Sequence, residues 1–156
     1  MTSSGPLVVT TPAELDAAVG VELGPGPWCT VDQDRIDTFA AASGDHQWIH
    51  VDPERAATGP YGRTIAHGQL TLSLISSLAA DLYRFDLGSA RLNYGLDRVR
   101  FPAPVPVGSR VRLRATVAAV QPRQDAALVS IDFTVELEHA ERPACVARKL
   151  SLVLLE

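Results

Sequence analysis

The stretch "SGDHQWIH" (residues 43–50) places Asp45, His46, Gln47 and His50 close together, with the apolar pair Trp48 and Ile49 set between them. A carboxylate and an imidazole five positions apart can converge on one water molecule. The carboxylate orients the water or accepts its proton, and the imidazole, which titrates near neutral pH, withdraws or donates another. The same spacing also fits a structural role, in which Asp45 caps the turn that follows and His50 fills space. A second element lies nearby: "IAHGQL" (65–70) puts Gly68 at the head of an apolar segment. The first N–H groups of a helix lack internal partners and carry the positive end of its dipole. Glycine has no Cβ to keep a ligand carbonyl away, so Gly68 N–H is a natural cradle for a developing oxyanion. Of the other histidines, His46 and His67 read as packing or hydrogen-bonding residues, and His139, beside "AERP", as a solvated turn residue. Cys29 and Cys145 stand alone, without a CxxC or a histidine at ligand spacing, and read as two buried thiols of a reducing compartment. No clustered ligands are expected, so no metal is assigned.

These residues need a frame. Residues 12–18 form a short helix candidate, separated from the main body by the turn segment "ELGPGPWC" (22–29). Asp32 is an N-cap for a helix carrying Ile36, Phe39 and Ala40, and Gly44 stops it. Asp45 and His50 therefore fall on an irregular segment after that stop. A helical turn follows at Pro53–Ala57, and a longer helix runs from Gly68 to about Arg84, apolar on nearly every side and hence buried. After Gly88 the period becomes two. Residues 110–117, 128–137 and 146–154 read as strands, with two shorter ones in "ARLNYG" (90–95) and "DRVRFPAPVPVG" (97–108). Strands gathered behind a buried helix, without βαβ alternation, predict an α+β fold with an antiparallel sheet curled around the 68–84 helix, a hotdog. The chain is expected to be a single domain over 1–156, with residues 1–27 as an N-terminal extension packed on it. Strands 110–117 and 128–137 are expected to leave a sheet edge that a second copy would cover.

Composition bounds the rest. The chain has 156 residues, 46% of them hydrophobic and 21% charged, as in an ordinary soluble domain. Its net charge of −4, from 14 basic and 18 acidic residues, argues against a nucleic-acid surface or an acidic membrane. The N-terminus has neither a positive n-region nor a long apolar h-region, and "GQLTLSLISSLAADLYRF" is too interrupted to span a membrane. A cytoplasmic location is expected.

The stretch "FAAASGDHQWIHVDPERAATGPYGRTIAHGQLTLSLISSL" (39–78) resembles the hydratase-2 signature of the MaoC-like, (R)-specific enoyl-CoA hydratase family, and "VRFPAPVPVGSRVRLRATV" (99–117) is similar to that family's strand segment. The resemblance covers the chain from about residue 28 to its end. It implies a hotdog homodimer that reversibly hydrates trans-2-enoyl thioesters, carried by CoA or an acyl-carrier protein, to (R)-3-hydroxyacyl thioesters without a cofactor. It puts the catalytic acid and base on Asp45 and His50, the oxyanion N–H on Gly68 and a supporting serine on Ser76. Where the family usually has Asn-Pro, this chain has Gln47–Trp48, as in the nodulation-protein-N-like branch. Gln keeps an amide on a longer stem, and Trp48 is expected to line or restrict the substrate cavity. Arg98 and Arg100 are candidates for meeting carrier phosphates, and the Gly59–Gly62 loop for bordering the acyl pocket. A hotdog acyl-CoA thioesterase and a non-catalytic acyl-thioester-binding subunit remain as alternatives on the same scaffold.

Overall fold

The computed structural model describes residues 5–156. Its frame is an antiparallel sheet built from four long strands: β5 (Ala90–Arg100), β6 (Arg110–Arg123), β7 (Ala126–Leu137) and β8 (Cys145–Leu154). Among the described residues the sheet runs β2-β6-β7-β8-β5, with β2 (Glu22–Leu23) and β3 (Cys29–Thr30) both pairing with β6. The alternation legible in the sequence is realised here. Val111, Leu113, Ala115 and Val117 of β6 face Leu137, Val135, Phe133 and Ile131 of β7 across the ladder and are buried. The opposite face carries charge: Arg112 and Arg114 pair with Glu136 at 2.5 and 2.6 Å, and Arg148 grips Asp132 through two bonds of 2.7 Å. These partly to fully solvent-accessible pairs keep the outer face polar and contribute little to stability.

Helix α5 (Gly68–Leu78) lies on the inner face, inserting Leu70, Thr71, Leu74, Ile75 and Leu78 into the core. It is shorter and more one-sided than its sequence suggests. Ser73, Ser76 and Ser77 stay exposed, a 3₁₀ turn follows at Ala79–Asp81, and residues 83–85 form strand β4 instead of a last helical turn. The cause is tertiary: strand β1 (Leu7–Val9) pairs in parallel with β4, matching Leu7 to Tyr83 and Val9 to Phe85. The N-terminal segment continues through α1 (Pro12–Ala17), opened by a capping box between Thr11 and Glu14. It inserts Val9, Leu15, Ala18 and Leu23 into the core.

Two further expectations are corrected. Segments 90–95 and 97–108 form one strand, β5, followed by a loop, because register shifts at Asn93/Gly95 and Leu96/Arg98 interrupt its alternation without ending it. The open sheet edge also belongs to β5. Strands 110–117 and 128–137 are interior, since residues 20–31 cover the outer side of β6 with bonds from Gly20, Gly26 and Val31 N–H to carbonyls of Val117, Leu113 and Ser109. Of the two free thiols Cys145 is buried, which pushes it up to about 11, whereas Cys29 is only half-buried. No helix among the described residues is long and apolar enough to cross a bilayer.

Candidate active site

Helix α2 (Gln33–Ser43) begins at Asp32, whose carboxylate accepts from Arg35 N–H at 2.9 Å, and ends at Gly44 in the left-handed region at φ 77°. That turn redirects the chain so that Asp45 leads into a short helix, α3 (Trp48–Val51). Asp45 sits on irregular backbone as expected. His50 does not: it belongs to α3, whose turn is closed by His50 N–H on the Gln47 carbonyl at 2.9 Å.

His50 is 6% exposed, and its Nδ1 lies 2.6 Å from the carbonyl oxygen of Ile65. A carbonyl only accepts, so Nδ1 carries the proton and Nε2 presents its lone pair. Burial holds the His50 pKa below the ordinary histidine value, with the neighbouring His67 adding to the effect; the Ile65 bond and Asp45 oppose it. His50 is thus kept as a neutral base. Ile65 is in turn fixed to the same loop by its N–H on the Ile49 carbonyl at 2.9 Å.

His67 is the residue behind this arrangement. It is 2% exposed, and its ring stacks on His50 at 3.8 Å between centroids with 24° between planes. The His67 ring also meets that of Phe39, tilted, at 5.0 Å between centroids. Its Nε2 donates to the Asp45 carbonyl at 2.9 Å, tying the acid's backbone to the start of α5, while Nδ1 is buried without a hydrogen-bond partner among the described residues. The packing and hydrogen-bonding role expected for His67 is therefore met, whereas His46 is exposed. The ligand atoms of Asp45, His50 and His67 lie within 4.8 Å of one another, which corrects the expectation that no metal-ligating residues cluster.

Gln33 holds the loop from the other side. Its Nε2 donates to the His50 carbonyl and to Asp37 Oδ1, both at 2.8 Å, and its Oε1 accepts from the buried Thr64 hydroxyl at 2.6 Å. The residues on either side of the His50–Ile65 bond are thereby tied to a third element. Gln33, Thr64 and Ile65 carry no signal in the sequence that separates them from ordinary helix and loop residues.

Gly68 opens α5 after His67, and no side chain caps that terminus. The glycine has a packing reason beyond the approach of a ligand: a Cβ there would lie 3.0–3.1 Å from ring carbons of Phe101. Gln47 is the exposed N-cap residue of α3. Trp48 is half-buried, stacked under the Arg55 guanidinium at 4.4 Å and packed where Gly59 leaves no Cβ. Ser76 is set apart. Eight residues beyond Gly68, or roughly 12 Å along the helix, it lines a cleft with Asn93 and Lys149 that does not include Asp45 or His50. Arg98 and Arg100 are exposed on β5.

The sequence matches the family described as the MaoC like domain over residues 14–139. The chain belongs to the MaoC-like family. That span takes in the Asp45–His50 loop, the head of α5 and strands β5 to β7. Within the family, the chain is 48% identical to 3-hydroxyacyl-thioester dehydratase Z of Mycobacterium tuberculosis over 139 residues, covering 88% of this chain and 92% of that protein. It is also 48% identical over 144 residues to Nodulation protein N of Rhizobium leguminosarum, covering 90% and 89%. Among solved structures, the (R)-hydratase of Aeromonas caviae superposes with a TM-score of 0.68 at 26% identity, over 85% of this chain and 94% of that one. The MaoC-like hotdog is the fold of this chain.

Proposed function

We propose that the protein is an (R)-specific enoyl-thioester hydratase, equally a 3-hydroxyacyl-thioester dehydratase, and that Asp45 and His50 act on one water. The observation that carries this reading is the 2.6 Å contact of His50 Nδ1 with the Ile65 carbonyl, which leaves Nε2 as an unprotonated base beside the Asp45 carboxylate. The Asp45 carboxylate orients the water and His50 Nε2 withdraws its proton as the oxygen bonds to C3 of the enoyl group. The C2–C3 π pair becomes the C1–C2 bond of an enolate and the carbonyl π pair moves onto oxygen, which is met by the uncapped N–H of Gly68. The carbonyl then re-forms as one of Asp45 and His50 delivers the proton to C2, so the elements of water are added and no redox partner is needed. The names of the relatives support the reaction class, a hydro-lyase on acyl thioesters.

The test is a direct assay with crotonyl-CoA and longer 2-enoyl-CoAs, following loss of the conjugated-enoyl absorbance and the chirality of the product. Hydration to the (R)-3-hydroxyacyl thioester is expected. A mainly (S) product overturns the assignment, and release of free thiol without hydration transfers it to a thioesterase.

The working unit in this reading is a homodimer joined along β5. That strand is the open edge of the sheet and exposes Leu92, Tyr94 and Leu96 at 47–64%. Light scattering at micromolar concentration should give twice the 16.7 kDa chain mass; a clean monomer rules the unit out.

A further inference from the structure

Strand β8 alternates strictly, with Cys145, Ala147, Ser151 and Val153 buried on the inner face of the sheet. Lys149 takes the inward position in the middle of that row. Across the ladder its neighbours are Ile131 of β7, which is 1% exposed, and Leu96 of β5. On the same face, Ser151 stands opposite Asn93 and Val153 opposite Arg91. A lysine and an arginine thus share the face of the sheet that elsewhere forms the core.

Both cations lack a counter-charge. Among the described residues neither the Lys149 ammonium nor the Arg91 guanidinium makes an ion pair, and Arg91 is only within 6.0 Å of the rings of Tyr83 and Phe85. The third cation nearby, Arg84, is already neutralised by Asp86 at 2.6 Å. Burial, and after it the charge of Arg91, holds the Lys149 pKa below the usual lysine value. Arg91 is exposed, whereas Lys149 is half-buried, and a half-buried cation is costly without an anion.

The space in front of them is a cleft between α5 and the sheet. Two adjoining cavities of about 300 and 270 Å³ share Ile75, Ser76, Asn93 and Lys149. Leu72 and Leu96 make one end apolar, whereas Arg91 and Ser151 make the other end polar. No carboxylate lines either cavity. An apolar arm with a neutral terminus would leave the cations as unmatched as before.

We propose that this cleft binds an amphiphilic anion, its apolar arm against Leu72, Ile75 and Leu96 and its carboxylate or phosphate held by Lys149 and Arg91. A terminal carboxylate on an acyl group and the phosphate of a pantetheine arm share this chemistry.

Calorimetric titration of the full-length protein with octanoate, octyl phosphate and 1-octanol tests it. Both anions should bind at least about tenfold more tightly than octanol, the margin expected of one charge-assisted hydrogen bond. Lys149→Met and Arg91→Leu should each erase most of that margin while leaving octanol binding unchanged or tighter. Thermal melting shows whether each variant is folded, and the wild-type comparison decides even if one is not. A preference for octanoate assigns the anion to an acyl carboxylate, and a preference for octyl phosphate assigns it to the carrier arm; either supports the cleft as an anion site. Anions that bind no better than octanol overturn it, as do folded variants that keep the full margin. The titration reads binding without turnover, so its failure leaves the hydratase reading standing, and absence of hydration leaves the anion site standing.

Discussion

Replacing Gln33 with leucine keeps most of the side chain's volume and removes everything that holds the His50 loop from below. Three hydrogen bonds disappear: those to the His50 carbonyl, Asp37 Oδ1 and the Thr64 hydroxyl. The Asp37 bond is exposed and contributes little. The other two are partly buried, and Thr64 is only 2% exposed, so its hydroxyl is left without a partner in the protein interior. At roughly 1 kcal/mol per lost bond, and 1–3 kcal/mol for an unsatisfied buried group, the change should cost about 2–4 kcal/mol. For a chain of this size that is a fall in Tm of roughly 4–16 °C. The catalytic effect should be separable from the stability loss. Gln33 touches the His50 backbone and Thr64, the neighbour of Ile65, so a loosened clamp misplaces the imidazole without altering the thioester cradle. A displacement of about 1 Å is worth on the order of 10²-fold, and it should appear in kcat with KM little changed. Gln33→Glu provides the control, keeping an acceptor for Thr64 while turning a carboxylate oxygen toward the His50 carbonyl. The assays are thermal melting and steady-state hydration of crotonyl-CoA well below the melting range. A leucine variant with an unchanged Tm and normal kcat would refute the clamp.

Asp45→Asn and His50→Gln should each lose roughly 10²–10⁴-fold in kcat/KM, with the double variant scarcely worse than the poorer single if both act on one water; multiplicative losses in steady-state assays would assign them independent roles. The acid limb of the pH–rate profile should have its midpoint below about 6.5, the ordinary histidine value, because burial depresses His50 and the base must be neutral. Stability should follow the same direction: the folded protein binds fewer protons at His50 than the unfolded chain does, so this contribution is full above about pH 6.5 and shrinks as pH falls. Urea titrations between pH 5 and 8 check the sign, and a protein more stable at pH 5 by way of His50 would contradict it.

What could be read from the sequence is what is local in it. Asp45 and His50 are five residues apart, and the helix stop at Gly44 and the start of α5 at Gly68 follow from neighbouring residues. The rest of the site is assembled across 15 to 31 residues, by His50 on Ile65, Gln33 on His50 and Thr64, and His67 on Asp45. No local pattern reports those distances. The fold divides in the same way. The alternation of β6, β7 and β8 shows which faces are buried but not which strand is outermost, since edge order depends on pairing between remote segments. The apolar run after Gly68 reads as one helix through residue 84 because the strand that captures Tyr83–Phe85 lies more than seventy residues earlier, at Leu7–Val9.

The two sides of the sheet are unlike. Along 109–117 the outer backbone of β6 is taken up by residues 20–31, in two paired segments of only two residues each, whereas β5 offers an eleven-residue strand with no further strand beyond it among the described residues. A sheet open at both margins can add copies without limit and grow into a filament; a sheet with one margin sealed has a valence of one. Any copy that joins through β5 uses up that valence on both molecules, and growth stops there. The short strands at the start of the chain therefore act as a terminator, and a deletion that strips residues 20–31 from β6 would be expected to turn a self-limiting association into an open-ended one.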